Sequence, residues 1–190
     1  MTEQEGALVQ LAGVLESGGI PYAVIGGMAN AVWGVPRATL DVDATVWIGE
    51  EDPARYIGVL SAAFAVRPQD PVAFVRETRV LPLETRDGVR IDLVFGLIPF
   101  EEDAVRRAVP RAVAGATVRF CTAEDLILMK LVSERPKDLD DARGILAVQA
   151  GRIDRAYLDP RVDELADLLA RPGIREAYVA ALSRRPPQGA

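Results

Sequence analysis

One stretch limits the possible folds more than any other. Residues 20–25 form a short apolar run that ends in Gly26-Gly27, residues 28–33 have helical character and close at Gly34, and residues 40–48 are β-rich and alternating. A buried strand running into a glycine bend, a helix and then a second strand calls for a sheet with helices beside it. In an extended segment successive side chains alternate faces, so Asp41 and Asp43 point the same way with Val42 opposite, on the core side.

The remaining pattern extends this frame. Helical spacing over residues 7–17 stops at Gly18-Gly19. Asp52-Pro53 opens a helix reaching about residue 65, with proline at its first position. Two β-rich runs, residues 74–85 and 89–95, flank Asp87-Gly88, a strong hairpin signal. A helix over 99–109 and a short strand over 117–120 follow. Thr122 then caps a helix to about Glu134, with Asp125 as the capping-box acid. Pro136 breaks it, a second helix spans about 138–150, and residues 153–184 are helical with breaks at Pro160 and Pro172. The last seven residues read as a frayed tail.

Strands and helices mix first and only helices follow. The fold class expected is α+β: a mixed sheet of four or five strands flanked by helices, with a helical C-terminal part. The domain reading is a core over residues 1–120 that holds the mixed sheet, and a helical part over 121–190 packed on it. With 190 residues, 49% of them hydrophobic, the chain can fill one such core.

Composition narrows the chemistry. There is no histidine and one cysteine, Cys121. Hydrolysis by a nucleophile with a histidine base is thereby excluded, as are zinc sites built on histidine. Acid, base and metal chemistry falls to Asp, Glu, Lys or Tyr. The net charge of -6 and pI of about 4.8 disfavour nonspecific binding to a phosphate backbone, so DNA is not an expected partner. The first residues lack a basic and an apolar signal region, no apolar run reaches membrane-spanning length, and one cysteine fits a reducing cytoplasm, the expected location. Cys121 reads as a small buried hydrophobe, and Trp33 and Trp47 as core.

Two carboxylates on one strand face repel each other unless one is protonated or a cation sits between them. Hard oxygen ligands suit Mg²⁺. A third acid, Asp92, interrupts the apolar strand around Ile91 and Leu93, where a charge is costly unless paired or metal-bound. An isolated Asp-x-Asp is also a common surface feature, and Asp92 could simply pair with Arg90. The upstream glycine bend lets backbone N–H groups and a helix N-terminus approach an anion, though such a bend is also commonly just a tight turn; it is the ordered set of bend and acids that adds weight.

The ordered set of Gly26-Gly27, Arg37, Asp41-x-Asp43 and Asp92 resembles the nucleotidyltransferase superfamily with the DNA-polymerase-β-like palm. The spelling Gly-x-x-Arg-x-Thr-x-Asp-x-Asp over residues 34–43 is most similar to AbiEii/MenT-type nucleotidyltransferases of bacterial toxin–antitoxin and phage-defence systems. A second stretch, from Lys130 through Arg135, Lys137 and Asp138 to Asp141, resembles that group's later motifs. The resemblance spans roughly residues 20–150.

It implies an enzyme of the EC 2.7.7 type that moves a nucleoside monophosphate from an NTP, such as ATP, to a hydroxyl and releases pyrophosphate. Asp41, Asp43 and Asp92 would hold two Mg²⁺ ions, with Mn²⁺ as an alternative. Asp92 would also serve the acceptor hydroxyl, as its base or through the metal. Gly26 and Gly27 would cradle the triphosphate and Lys130 would reach it, or stand as a solvated helix lysine. Arg37 would contact the γ-phosphate or pair with Glu50 or another surface acid. Lys137, Asp138 and Asp141 would lie near the nucleotide, with Asp138 alternatively a helix N-cap. The implied acceptor is tRNA, for a toxin with a cognate antitoxin. The alternatives are a protein or an antibiotic of aminoglycoside or lincosamide type, or a non-catalytic nucleotide-binding module. Glycine at position 27, where many members have serine, removes one hydroxyl contact to phosphate.

Overall fold

Seven strands form one mixed sheet in the order β3-β4-β5-β2-β1-β7-β6. They are β1 (Tyr22–Val24), β2 (Val42–Val46), β3 (Ala65–Val66), β4 (Val80–Glu84), β5 (Arg90–Phe95), β6 (Val109–Val113) and β7 (Ala116–Phe120). This is a computed structural model, and it describes residues 1–133 and 135–183. Glu134, the expected helix end, and the tail from residue 184 lie outside the described residues. Among those described are nine helices: α1 (Glu3–Ser17), α2 (Gly26–Trp33), α3 (Pro53–Ser61), α4 (Pro71–Thr78), α5 (Pro99–Arg106), α6 (Ala123–Ser133), α7 (Pro136–Val148), α8 (Arg155–Leu168) and α9 (Gly173–Ser183).

The chain divides into two compact units: residues 1–28 with 38–121, and residues 29–37 with 122–190. The first holds the whole sheet. Strands β2 and β5 run parallel, as do β1 and β7, and the other neighbours are antiparallel. Val42, Ala44 and Val46 lie beside Ile91, Leu93 and Phe95 in register. All six are buried, and this apolar face is the core. Helix α1 packs on β7 and β2 and buries Leu8, Leu11 and Leu15. Each of these leucines is worth about 1.5–3 kcal/mol of transfer free energy. A capping box starts α1: Glu5 N–H donates to Thr2 Oγ1 at 3.1 Å, and Thr2 N–H donates to Glu5 Oε2 at 2.7 Å.

Several local expectations are corrected. The sheet has seven strands rather than four or five. Residues 74–78, expected to open a β run, lie instead in α4: Asp70 Oδ1 accepts from Ala73 N–H at 2.9 Å and Pro71 stands at the first helical position. This repeats the Asp52-Pro53 opening, and the cap outweighs the β-propensity of Val72, Phe74 and Val75. The helix expected over residues 99–109 ends at Arg106, and residues 109–113 form an edge strand. They turn into β7 through Ala114 and Gly115, with φ of 47° and 86°, a tight hairpin with a weaker sequence signal than Asn-Gly. The expected Asp87-Gly88 hairpin forms, with Glu84 opposite Arg90 and Gly88 at φ 81°.

The second unit is helical. Helix α6 packs against α7, α8 and α9 and buries Leu126, Ile127, Leu128 and Leu131. Its buried polar groups are satisfied. Asp125 accepts from the Thr122 and Tyr157 hydroxyls, each at 2.7 Å, and Glu124 Oε1 accepts from Asp154 N–H at 2.9 Å. Pro160 does not break α8. It sits early in the helix, and burial of Leu158, Val162 and Leu165 offsets the one hydrogen bond proline cannot make. Helix α7 begins at Pro136 rather than at 138. Residues 29–37 join this unit through Gln149, whose Nε2 donates to the Trp33 carbonyl at 2.8 Å.

Candidate active site

The site starts where β1 meets its bend. Ile25 N–H donates to the Asp43 carbonyl at 2.9 Å, which extends the β1–β2 pairing one step and sets Gly26 against Asp43. Gly26 has φ +63°, and a Cβ there would fall 2.0 Å from Asp43 Oδ2. Both backbone shape and close approach therefore require glycine. Gly27 N–H points at the same Asp43 oxygen, at a long 3.5 Å. A Cβ on Gly27 would fall 2.5 Å from Thr39 Oγ1 and 2.8 Å from Thr39 Cβ. The N–H groups of the first turn of α2 open beside these side chains, where the helix dipole favours negative charge.

Asp43 and Asp92 are direct partners across the parallel β2–β5 ladder. In-register neighbours share a face, so both stand opposite the apolar core face. Asp41 lies two residues before Asp43. Partial burial pushes the Asp92 carboxyl above the ordinary carboxylate range, the negative charge of Asp41 adds to this, and Arg90 opposes it. Asp41 is thus near enough for its charge to act on Asp92. Gly26 and Gly27 lie against Asp43, Asp43 stands beside Asp92, and Asp41 lies in the bend just before β2; all five residues belong to the first unit.

Three carboxylates beside a glycine cradle are a donor set suited to a hard divalent cation. Among the described residues, however, no group of three or more acid or thiol side chains stands in an arrangement that could hold a metal ion as it is. Repulsion between like charges opposes their convergence. The donor types fit a metal, and Asp43 and Asp92 share a face of the sheet.

The second-motif residues gather in the other unit. Lys130, 5% exposed, donates to Asp138 Oδ1 at 2.6 Å and pairs with Asp141 Oδ2 at 2.9 Å. Arg37 grips Asp141 with Nε and Nη2, at 3.0 Å to Oδ1 and 2.9 Å to Oδ2. Asp138 also accepts from Ser133 Oγ at 2.6 Å and from Arg135. Burial would raise the Asp138 carboxyl, but hydrogen bonds from Lys130, Ser133 and Arg135 and the Lys130 charge hold it down at about 2. Asp141 is lowered too: burial opposes this, and Arg37 and Lys130 prevail.

Two alternatives from the sequence are thereby corrected. Lys130 is not a solvated helix lysine, and Asp138 lies in the first turn of α7 as a buried ion-pair partner, with Arg135 at the N-cap position. Arg37 pairs with an acid, Asp141, and Lys137 is exposed. Cys121 is fully buried, while Trp33 and Trp47 are half-buried. The sequence also undervalues Thr39. Its signal is the Thr-x-Asp-x-Asp spacing, which leaves a β-branched hydroxyl beside the bend.

No family model matches the chain, and no curated protein sequence matches it. Solved structures do resemble it. A nucleotidyltransferase-like antigenic protein of Paracoccidioides brasiliensis superposes with a TM-score of 0.55 at 19% identity, covering 92% of this chain and 91% of that one. The antibiotic-resistance factor ANT(2'')-Ia, in complex with adenylyl-2''-tobramycin, gives 0.54 at 17% identity, with 93% and 99% covered. The lincosamide adenylyltransferase LnuA, bound to lincomycin, gives 0.52 at 12% identity, with 78% and 98% covered. The chain has the nucleotidyltransferase fold, a mixed sheet flanked by helices. Among the described residues no helix is long and apolar enough to cross a membrane.

Proposed function

We propose that this chain is a metal-dependent nucleotidyltransferase that moves a nucleoside monophosphate from an NTP to a hydroxyl acceptor and releases pyrophosphate. The observation that carries this reading is Asp43 standing opposite Asp92 beside the glycine bend that Asp43 itself touches. Asp41, Asp43 and Asp92 would hold Mg²⁺, which when bound neutralises phosphate charge and lowers the acceptor hydroxyl's pKa. The N–H groups that follow Gly26 receive the triphosphate. Asp92, on the same sheet face as Asp43, takes the proton from the acceptor hydroxyl. The acceptor oxygen bonds to the α-phosphorus as the bond from that phosphorus to the pyrophosphate oxygen breaks, and pyrophosphate leaves with the electron pair.

For the acceptor, a small polyhydroxylated molecule is the reading we favour. Its support is the likeness to two antibiotic adenylyltransferases along nearly their whole lengths, together with the net charge of -6, which repels a polyanion. A second reading, a tRNA-modifying toxin with a cognate antitoxin, is favoured by the motif spelling over residues 34–43 alone.

The test is incubation with α-labelled NTPs and Mg²⁺ in the presence of aminoglycosides, lincosamides, total tRNA or protein. Label should enter one pool and be lost in Asp43→Asn. Undiminished transfer by Asp43→Asn would falsify the mechanism. Label in tRNA would favour the toxin reading. Nucleotide binding without transfer to any pool and without metal dependence would mark a non-catalytic module.

A further inference from the structure

We infer that Thr39 binds the phosphates of the donor nucleotide, its hydroxyl standing in for the serine side chain that the bend lacks at position 27. The inference rests on the proposed nucleotidyl transfer and adds to it a residue that the resemblance does not assign.

Three observations carry it. First, Thr39 fills the space above the Gly27 Cα: a Cβ on Gly27 would lie 2.5 Å from Thr39 Oγ1 and 2.8 Å from Thr39 Cβ. The second contact involves the branch point of a stiff side chain rather than a flexible end, so the two positions cannot both bear a side chain without one moving. Second, the Thr39 hydroxyl is weakly engaged. It donates to the Asp41 carbonyl at 3.2 Å, longer than the roughly 2.7–2.8 Å typical of O–H···O bonds. A phosphate oxygen is a stronger acceptor than a carbonyl, so exchange of one for the other is favourable. Third, the placement suits an anion. Gly27 and Thr39 belong to the same unit, and Gly27 lies in the first turn of α2, where backbone N–H groups present positive potential.

A glycine bend topped by Thr39 thus offers what a Gly-Ser bend offers: N–H groups and one hydroxyl at the helix start. The hydroxyl comes from the chain segment that leads into Asp41 instead of from the bend. Loading of the triphosphate would then draw the Thr39 hydroxyl off the Asp41 carbonyl.

The experiment is calorimetric titration of the full chain with each of the four NTPs and Mg²⁺, alongside thermal unfolding without nucleotide. Thr39→Val keeps the shape and removes the hydroxyl, and it should weaken NTP binding by about 10- to 100-fold, as expected for one hydrogen bond to a charged group. Its unfolding midpoint without nucleotide should match the wild type. Thr39→Ser should bind within about threefold of wild type, since the hydroxyl remains. Gly27→Ser alone should bind poorly, because its side chain collides with Thr39. In Gly27→Ser/Thr39→Gly the hydroxyl returns from the bend, and binding should recover relative to Thr39→Gly. Wild-type binding undiminished in Thr39→Val, or lost equally in Thr39→Ser, overturns the inference and leaves the proposed function standing. Absence of NTP binding by the wild type overturns both.

Discussion

Replacing Lys130 with methionine tests whether its charge belongs to the protein's own architecture. The ammonium lies 2.6 Å from Asp138 Oδ1 and 2.9 Å from Asp141 Oδ2, and the Asp138 side chain is only 1% exposed. Solvent can do little to screen what is left behind. Removing one partner of a buried pair costs about 3–5 kcal/mol. Arg37 and Arg135 still face Asp141 and Asp138, so the lower end, about 3 kcal/mol, is expected. Acid titration gives an independent measure. The Asp138 carboxyl is lowered from 3.8 to about 2, which at about 1.36 kcal/mol per pKa unit is roughly 2 kcal/mol of stability. Because the folded value is depressed, this stability is present above pH 3.8 and is lost as pH falls towards 2. Without Lys130, burial weighs more heavily on the carboxyl and its pKa rises, so the variant loses less on acidification. The gap to wild type should therefore narrow between pH 4 and pH 2. Urea unfolding in a Trp47→Phe background reads the helical unit through Trp33, which belongs to it. A change below about 1 kcal/mol at pH 7, the range of an exposed pair, with a gap that does not narrow in acid, would refute the buried clasp. A lysine serving only a bound nucleotide would behave in that way.

Two further outcomes follow from the sheet unit. Gly26→Ala adds a Cβ that would stand 2.0 Å from Asp43 Oδ2, on a backbone with φ +63°. It should abolish NTP binding and lower the unfolding midpoint, measured by calorimetry, because Asp43 must move and the left-handed backbone costs about 1 kcal/mol or more. Asp92→Asn removes the charge repelled by Asp41. Without metal it should raise the midpoint near pH 7 by no more than a few degrees, since solvent screens an exposed pair. The difference should vanish as pH falls through the raised Asp92 pKa, because the wild-type carboxyl then takes up a proton itself. A lower midpoint for Asp92→Asn at pH 7 would contradict that repulsion.

What the chain betrays in one dimension is unevenly distributed. The Asp52-Pro53 helix start and the Asp87-Gly88 hairpin are legible because caps and tight turns depend on neighbouring residues alone. Asp70-Pro71 carries the same helix signal as Asp52-Pro53, yet the β-branched and aromatic residues after it point the other way, and only the formed cap decides. The edge strand at residues 109–113 is illegible for a different reason. Its partner is β7, and its apolar pattern is weak because most of it faces solvent. Lys130 offers no local sign of being buried, since a lysine on an apolar helix is buried or exposed according to what packs over it.

The sequence by itself determines the order of glycine bend, Asp-x-Asp strand and third acid. It also predicts a shared side for Asp41 and Asp43, which strand alternation supplies only where the chain is extended; the strand begins at Val42, with Asp41 in the bend before it. Only the tertiary structure sets Asp92 opposite Asp43, lays Thr39 over Gly27, and joins Arg37 to an aspartate more than a hundred residues away. Strand register and helix packing are settled by the burial of apolar faces contributed from distant parts of the chain, and no local stretch contains that information.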